Sequence, residues 1–314
     1  DQKDATLAQA ILYTLAPADT LIVVPDSIWA SPFWAGQLAG AALRGCHVHV
    51  IAPSLDNAPA AGAPILARTR EIFARLLAVS HLMADEIDRA GGNLRVGLYT
   101  RAAPSGDTLG KIREAADGFR KYPFLQEEFP MPPGTTALFD EVAAELEAAG
   151  YKPHFIAEGT REGRPKMHRK TQLFGTRRAL RVLASYPQAA TSLRSQLTAR
   201  AKATADPTAI FKQEDPLEVG RPLLDAITGK APAGAENAVY YVTVGSKNQD
   251  PRSAFLDGET SFIVAGPYAL AYYSDFIFLM GATTWVQDEA ELTKLIPVEE
   301  EKARKMGRLI RKVI

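Results

Sequence analysis

Two short segments of this 314-residue chain carry residue types that can do chemistry together, although 77 positions separate them. The first is His168-Arg169-Lys170. The second is Gly245-Ser246-Lys247-Asn248, which runs on through Asp250-Pro251-Arg252-Ser253 to Glu259. An imidazole near its ordinary pKa serves as nucleophile or general acid at neutral pH, which makes His168 the leading catalytic candidate. Lys170, two positions on, falls on the same face of an extended strand and brings a cation beside that nucleophile, while Arg169 faces the other way as a structural residue. Asn248 offers an amide donor, and Ser246 a hydroxyl that either binds the same oxygens or braces the turn. A nucleophile, a proton donor and cations around the non-bridging oxygens are what a metal-free attack on an anionic phosphodiester needs. Taken singly, each segment has a plainer reading: a core histidine on a strand, a turn, and a surface acid in Asp257-Gly258-Glu259. The combination carries the functional one.

The joint pattern, His-x-Lys followed by Gly-Ser-x-Asn-x-Asp-Pro-Arg-Ser and a Glu fourteen residues after Gly245, resembles the second half of a phospholipase D superfamily enzyme. In that superfamily each half of the active site supplies one His-x-Lys and one Gly-Ser-x-Asn element, and one histidine is transiently phosphorylated. The resemblance implies that His168 is one of this pair and that Lys170, Asn248 and Ser246 hold the phosphate. It also implies that Glu259 orients the imidazole through its second ring nitrogen, as the third member of a hydrolase triad does. The Asp250-Pro251-Arg252-Ser253 stretch is similar to one common in the phosphatidyltransferase branch, which includes cardiolipin and phosphatidylserine synthases. Asp250 and Arg252 are assigned mutually paired structural roles beside Gly245. The implied reaction is hydrolysis or phosphatidyl transfer on a phospholipid through a phosphohistidine.

The chain departs from the family pattern in three ways. The Asp expected five residues after the lysine is Gly175, and the usual short interval to Gly-Ser is stretched by an insertion over residues 176–236. More important, there is one His-x-Lys and not two. His47 and His49 have no lysine two positions on, and His81 and His154 are followed there by Met83 and Ile156. The second copy is expected from an upstream half or a separate chain, ahead of a symmetric dimer of the kind formed by the small nucleases of the superfamily. Two further readings stay open: a dimeric nuclease, and a catalytically silent structural half.

Composition narrows the choice. Thirty-six basic residues balance thirty-six acidic ones, so no global field attracts nucleic acid, and a phospholipid is favoured as substrate over it. The apolar, aromatic run 268–285 points the same way. Cys46 is the only cysteine, and the five histidines show no ligand spacing, so no metal or other cofactor is expected. The chain opens Asp-Gln-Lys-Asp, without a methionine, as a processed chain does; a secreted, periplasmic or cell-envelope location is expected over a cytoplasmic one.

The elements that must position these residues alternate strand and helix. Helix is expected over 6–17, 33–43, 64–89 and 138–149, and strand over 20–24, 46–52, 94–99, 153–157, 167–174 and 239–244. The stretch 100–133 reads as irregular, a packed cover or a lid. Residues 177–204 read as helical with a break at Pro187, and 262–264 and 269–280 as sheet-like or buried runs. Together these predict an α/β fold: a mixed β-sheet flanked by helices, the sandwich that the phospholipase D resemblance implies, spanning 1–285 with its helical insertion. A charged helical tail, 286–314, follows. Its basic helix from about residue 298 reads as a solvated face, with peripheral membrane contact as the alternative.

Overall fold

The structure, a computed structural model, describes residues 2–54, 62–99, 108–151, 170–205, 240–245, 249, 261–265 and 272–297. It is an α/β protein built on one seven-stranded, mixed, open sheet. The strands are β1 (Thr20–Pro25), β2 (His47–Pro53), β3 (Asn93–Tyr99), β4 (Gln172–Thr176), β5 (Tyr240–Gly245), β6 (Ser261–Ala265) and β7 (Thr283–Val286). Their spatial order is β6-β5-β4-β1-β2-β3-β7. β1, β2 and β3 run parallel, and every other pairing is antiparallel.

Eleven helices lie among the described residues: α1 (Gln2–Leu15), α2 (Pro32–Leu43), α3 (Gly62–Leu82), α4 (Ala84–Arg89), α5 (Thr108–Lys121), α6 (Phe124–Glu128), α7 (Thr135–Ala148), α8 (Arg177–Ala184), α9 (Pro187–Ala205), α10 (Tyr273–Gly281) and α11 (Glu289–Leu295). None is long and apolar enough to cross a membrane.

β1 is buried along its whole length because successive side chains enter two different cores. Ile22 and Val24 join the core under α1, α2, α3 and α11, with Trp29, Trp34, Phe73 and Phe174. Leu21 and Val23 join the core under α5, α7, α9 and α10, with Phe119, Phe139, Leu193 and Trp285. The connection from β1 to β2 starts with Pro32 in the first turn of α2, where its missing N–H costs nothing. It ends in a Schellman closure: Gly45 N donates to Ala42 O and Cys46 N to Ala41 O, with Gly45 at φ +90°. A Cβ there would stand 2.5 Å from the Ala90 carbonyl oxygen.

Four expectations change. The described part of the stretch read as irregular, 108–133, holds α5 and α6, whose Ile112, Ala115, Phe119 and Leu125 line the core, as the packed-cover alternative has it. The described part of the apolar run up to Met280 is helix α10, buried on nearly every side, so of the two readings the buried one holds and the sheet-like one does not. The 64–89 helix is broken at Met83 into α3 and α4. β4 begins at Gln172, so Lys170 and Thr171 precede the strand. The first part of the 176–236 insertion is α8 and α9, and Leu193 and Leu197 of α9 belong to the core. The 153–157 strand and the helix from residue 298 lie outside the described residues.

Candidate functional site

The antiparallel register decides which chain ends meet. Gln172, the first residue of β4, pairs with Thr243, and β5 ends two residues later at Gly245. Val23 pairs with Leu173, so the C-terminal end of β1 lies at that same edge of the sheet. The segment entering β4 and the segment leaving β5 therefore flank the connection from β1 to α2, despite their distance in sequence.

Polar contacts close this junction. Lys170 Nζ donates to Ser27 Oγ at 3.5 Å. Gln249, fully buried, forms a parallel bridge with Trp29, and its carbonyl oxygen accepts from Ala30 N at 3.0 Å and Ser31 N at 3.1 Å. Its own N–H donates to Asp26 Oδ2 at 3.1 Å. Gln9 Nε2 reaches Gln249 Oε1 at 3.3 Å and Tyr13 OH at 2.9 Å, and Tyr13 OH donates to Gln172 Oε1 at 2.8 Å. Helix α1 thus braces both β4 and the segment after β5 through buried side chains, where each hydrogen bond replaces one that water would otherwise supply.

Of the sequence-derived site residues, Lys170 and the backbone of Gly245 are described. His168, Ser246, Asn248, Asp250, Arg252 and Glu259 lie outside the described residues. His168 stands two positions before Lys170, Asn248 immediately before Gln249, and Glu259 two before Ser261, which pairs with Gly245. Sequence reasoning passed over Asp26, Ser27, Gln9 and Gln249. Pro25-Asp26-Ser27 did carry a sign, since polar residues at the end of an all-apolar strand sit where sites are commonly built.

His47 and His49 belong elsewhere. His47 pairs with Leu21 at the start of β1, and Ser27 lies six residues further along, roughly 20 Å at strand rise. Its Nδ1 meets Asn93 Nδ2 at 2.8 Å, with Arg177 and Asp19 beside it. Burial first, then the Arg177 charge, pushes its pKa down to about 4. His49, fully buried, donates from Nε2 to Glu128 Oε2 at 3.0 Å, and its ring meets Trp285 edge-on. Burial lowers its pKa against the pull of Glu128, so it is neutral at neutral pH. Burial would raise the Glu128 carboxyl, but hydrogen bonds from Arg95 and His49 outweigh it and hold it at about 2. Arg95 grips that carboxylate with Nε at 2.8 Å and with Nη2, and its guanidinium lies 3.8 Å from the centre of the Phe124 ring. This cluster fastens α6 to the sheet; it is not a second imidazole facing Lys170.

Among the described residues no three His, Cys, Asp or Glu side chains gather as a metal site would require. The described part of the junction holds instead a cation and a hydroxyl, Lys170 and Ser27, groups that suit an oxyanion, while its backbone N–H groups at Ile28, Ala30, Ser31 and Gln249 are bonded within the protein. No family model, curated protein or solved structure matches the chain.

Proposed function

We propose that the chain is one half of a phospholipase D-like enzyme, with that superfamily's sandwich architecture, and that it cleaves or transfers phosphodiesters through a phosphohistidine at His168. The observation that supports this is the meeting of its two motif segments on adjacent residues, Lys170 at Ser27 and Gln249 at Asp26. The antiparallel pairing of β4 with β5 brings the two segments to one end of the sheet, where both can contribute to holding one phosphate.

In this reading His168 attacks phosphorus as the bond to the leaving alkoxide breaks, and a second imidazole protonates that oxygen. Lys170, Asn248 and Ser246 hold the non-bridging oxygens, and Glu259 orients His168. Water or an alcohol then attacks the phosphohistidine and regenerates the imidazole. Since His47 and His49 are committed elsewhere and neither His81 nor His154 begins a His-x-Lys, the reading draws the second imidazole from an upstream half, another chain or a dimer mate. Phe262 and Ile263 of β6, 64% and 55% exposed beside the strand that ends at Gly245, offer apolar surface for such a partner.

Phospholipid remains favoured over nucleic acid on two grounds: the Asp-Pro-Arg-Ser block and the balanced charge. The run 268–285 no longer contributes, because its described part is core: Tyr273 stacks on Phe129 and Phe276 is fully buried. The test is turnover of phosphatidylglycerol vesicles and of bis(p-nitrophenyl) phosphate, with mass-spectrometric trapping of an acid-labile phosphate on His168. Turnover without that adduct, or with it on another residue, rejects the mechanism. The single His-x-Lys also favours a second reading, a silent half that binds phosphate without turnover; phosphate binding by a chain inert on both substrates, with or without a partner, selects it.

A further inference from the structure

We propose that Asp26 is the positioning residue that sets the segment after β5 against Lys170, an inference that rests on the phosphodiester reading and adds a residue from outside both motif segments. Asp26 is 1% exposed at the C-terminal end of β1. Its Oδ1 accepts from Ile28 N at 2.8 Å, which shapes the start of the connection into α2. Its Oδ2 accepts from Gln249 N at 3.1 Å. The next residue, Ser27, takes the Lys170 ammonium. One dipeptide therefore fixes both arms of the candidate site.

The residue type fits the task. An ionised carboxylate accepts only, and its two oxygens can each take a backbone N–H that burial would otherwise leave unpaired. The remaining contacts on Gln249, from Ala30 N, Ser31 N and Gln9, hold the residue down but come from its carbonyl and side-chain side. Among these contacts the N–H, which continues directly into the Asn248 peptide, is held by Asp26. Loss of the carboxylate orphans the buried Gln249 N–H and the half-buried Ile28 N–H and loosens the hold on Gln249, and displacements of about 1 Å are enough to weaken a convergent site.

The experiment compares wild type, Asp26→Ala, Asp26→Asn and Lys170→Ala, each in the full chain and well below its unfolding midpoint. Inorganic phosphate is the probe, its affinity read by phosphorus NMR titration, and hydrogen exchange is followed in the peptide covering 245–250. Asp26→Ala is expected to lower phosphate affinity at least tenfold and to speed exchange in that peptide. Asp26→Asn, which keeps one carbonyl acceptor, should fall between it and wild type, and serves alone if the alanine variant does not fold. A purely structural role would lower the unfolding temperature and leave the affinity unchanged. If wild type binds phosphate, Lys170→Ala weakens it and neither Asp26 variant does, this inference is overturned and the functional reading stands. If wild type binds no phosphate, both fall.

Discussion

The backbone N–H of Gln249 donates to the Asp26 carboxylate across 3.1 Å, joining residues 223 positions apart. A buried N–H has to find an acceptor, and here the acceptor sits at the end of the central strand, one residue before the hydroxyl that receives Lys170. The bond therefore ties the formation of the candidate site to the packing of β5 and β4 beside β1.

His168→Ala should lower turnover by about a thousandfold or more, because the proposed mechanism uses His168 as its nucleophile and the chain has no second His-x-Lys to replace it. Lys170→Ala should weaken phosphate binding as well as turnover, with Lys170→Arg recovering part of the binding. The check is steady-state kinetics on bis(p-nitrophenyl) phosphate beside near-ultraviolet circular dichroism. Wild-type rates from a correctly folded His168→Ala protein would refute the assignment.

Acid should destabilise this protein in two steps. His47 has a folded pKa of about 4 against an ordinary 6.5, so below 6.5 the unfolded chain binds a proton that the folded one refuses, and stability falls as pH drops toward 4. The loss is about 2 to 3 kcal/mol. Burial drives His49 the same way. Glu128, held at about 2, adds a second loss from about 4.5 downward, where the unfolded chain takes up a proton that the folded carboxylate refuses until about pH 2. Urea titrations between pH 8 and 3 measure this, and a midpoint that stays constant from pH 7 to 5 contradicts the histidine assignments.

Glu128→Ala should cost about 3 to 5 kcal/mol, since it strands the buried edge of Arg95 and the His49 N–H together. A double-mutant cycle with Arg95→Ala should return a coupling above about 1 kcal/mol. Additive effects would mean that the pair contributes only through its individual packing.

Two helical glycines should respond in opposite directions. Gly118 of α5 faces α10 so closely that a Cβ would lie 2.0 Å from the Gly281 carbonyl oxygen, so Gly118→Ala must separate the helices at a cost of about 1 to 3 kcal/mol. Gly36 of α2 has nothing within 4 Å of a built Cβ, and Gly36→Ala should stabilise by about 0.5 to 1 kcal/mol through helix propensity. Thermal unfolding of the two variants decides; equal shifts would show that the α5–α10 crossing is not tight.

Local pattern made much of the chain legible. Apolar runs closed by Pro25 and Pro53 mark β1 and β2, and the Arg44-Gly45 pair marks the end of α2, because strand burial and helix termination are written in a few neighbouring residues. The same reading passed over α5, where the spacing of Ile112, Ala115, Ala116 and Phe119 is helical but sits among aromatics and prolines that suggest a loop. It read the α10 segment as sheet-like or buried, and only the burial held, because a helix apolar on every side shows no stripe to mark it as helix. The sequence by itself determined which residue types were available for chemistry: His168, Lys170, Ser246, Asn248 and Glu259, with a single His-x-Lys. Only the tertiary structure decided that β4 and β5 lie beside β1 in antiparallel register, that Asp26 and Ser27 receive the two arms, and that His49 is held by Glu128. The reason is physical: strand order and buried hydrogen bonds are non-local, chosen by which distant surfaces bury together, and no window of neighbouring residues encodes them.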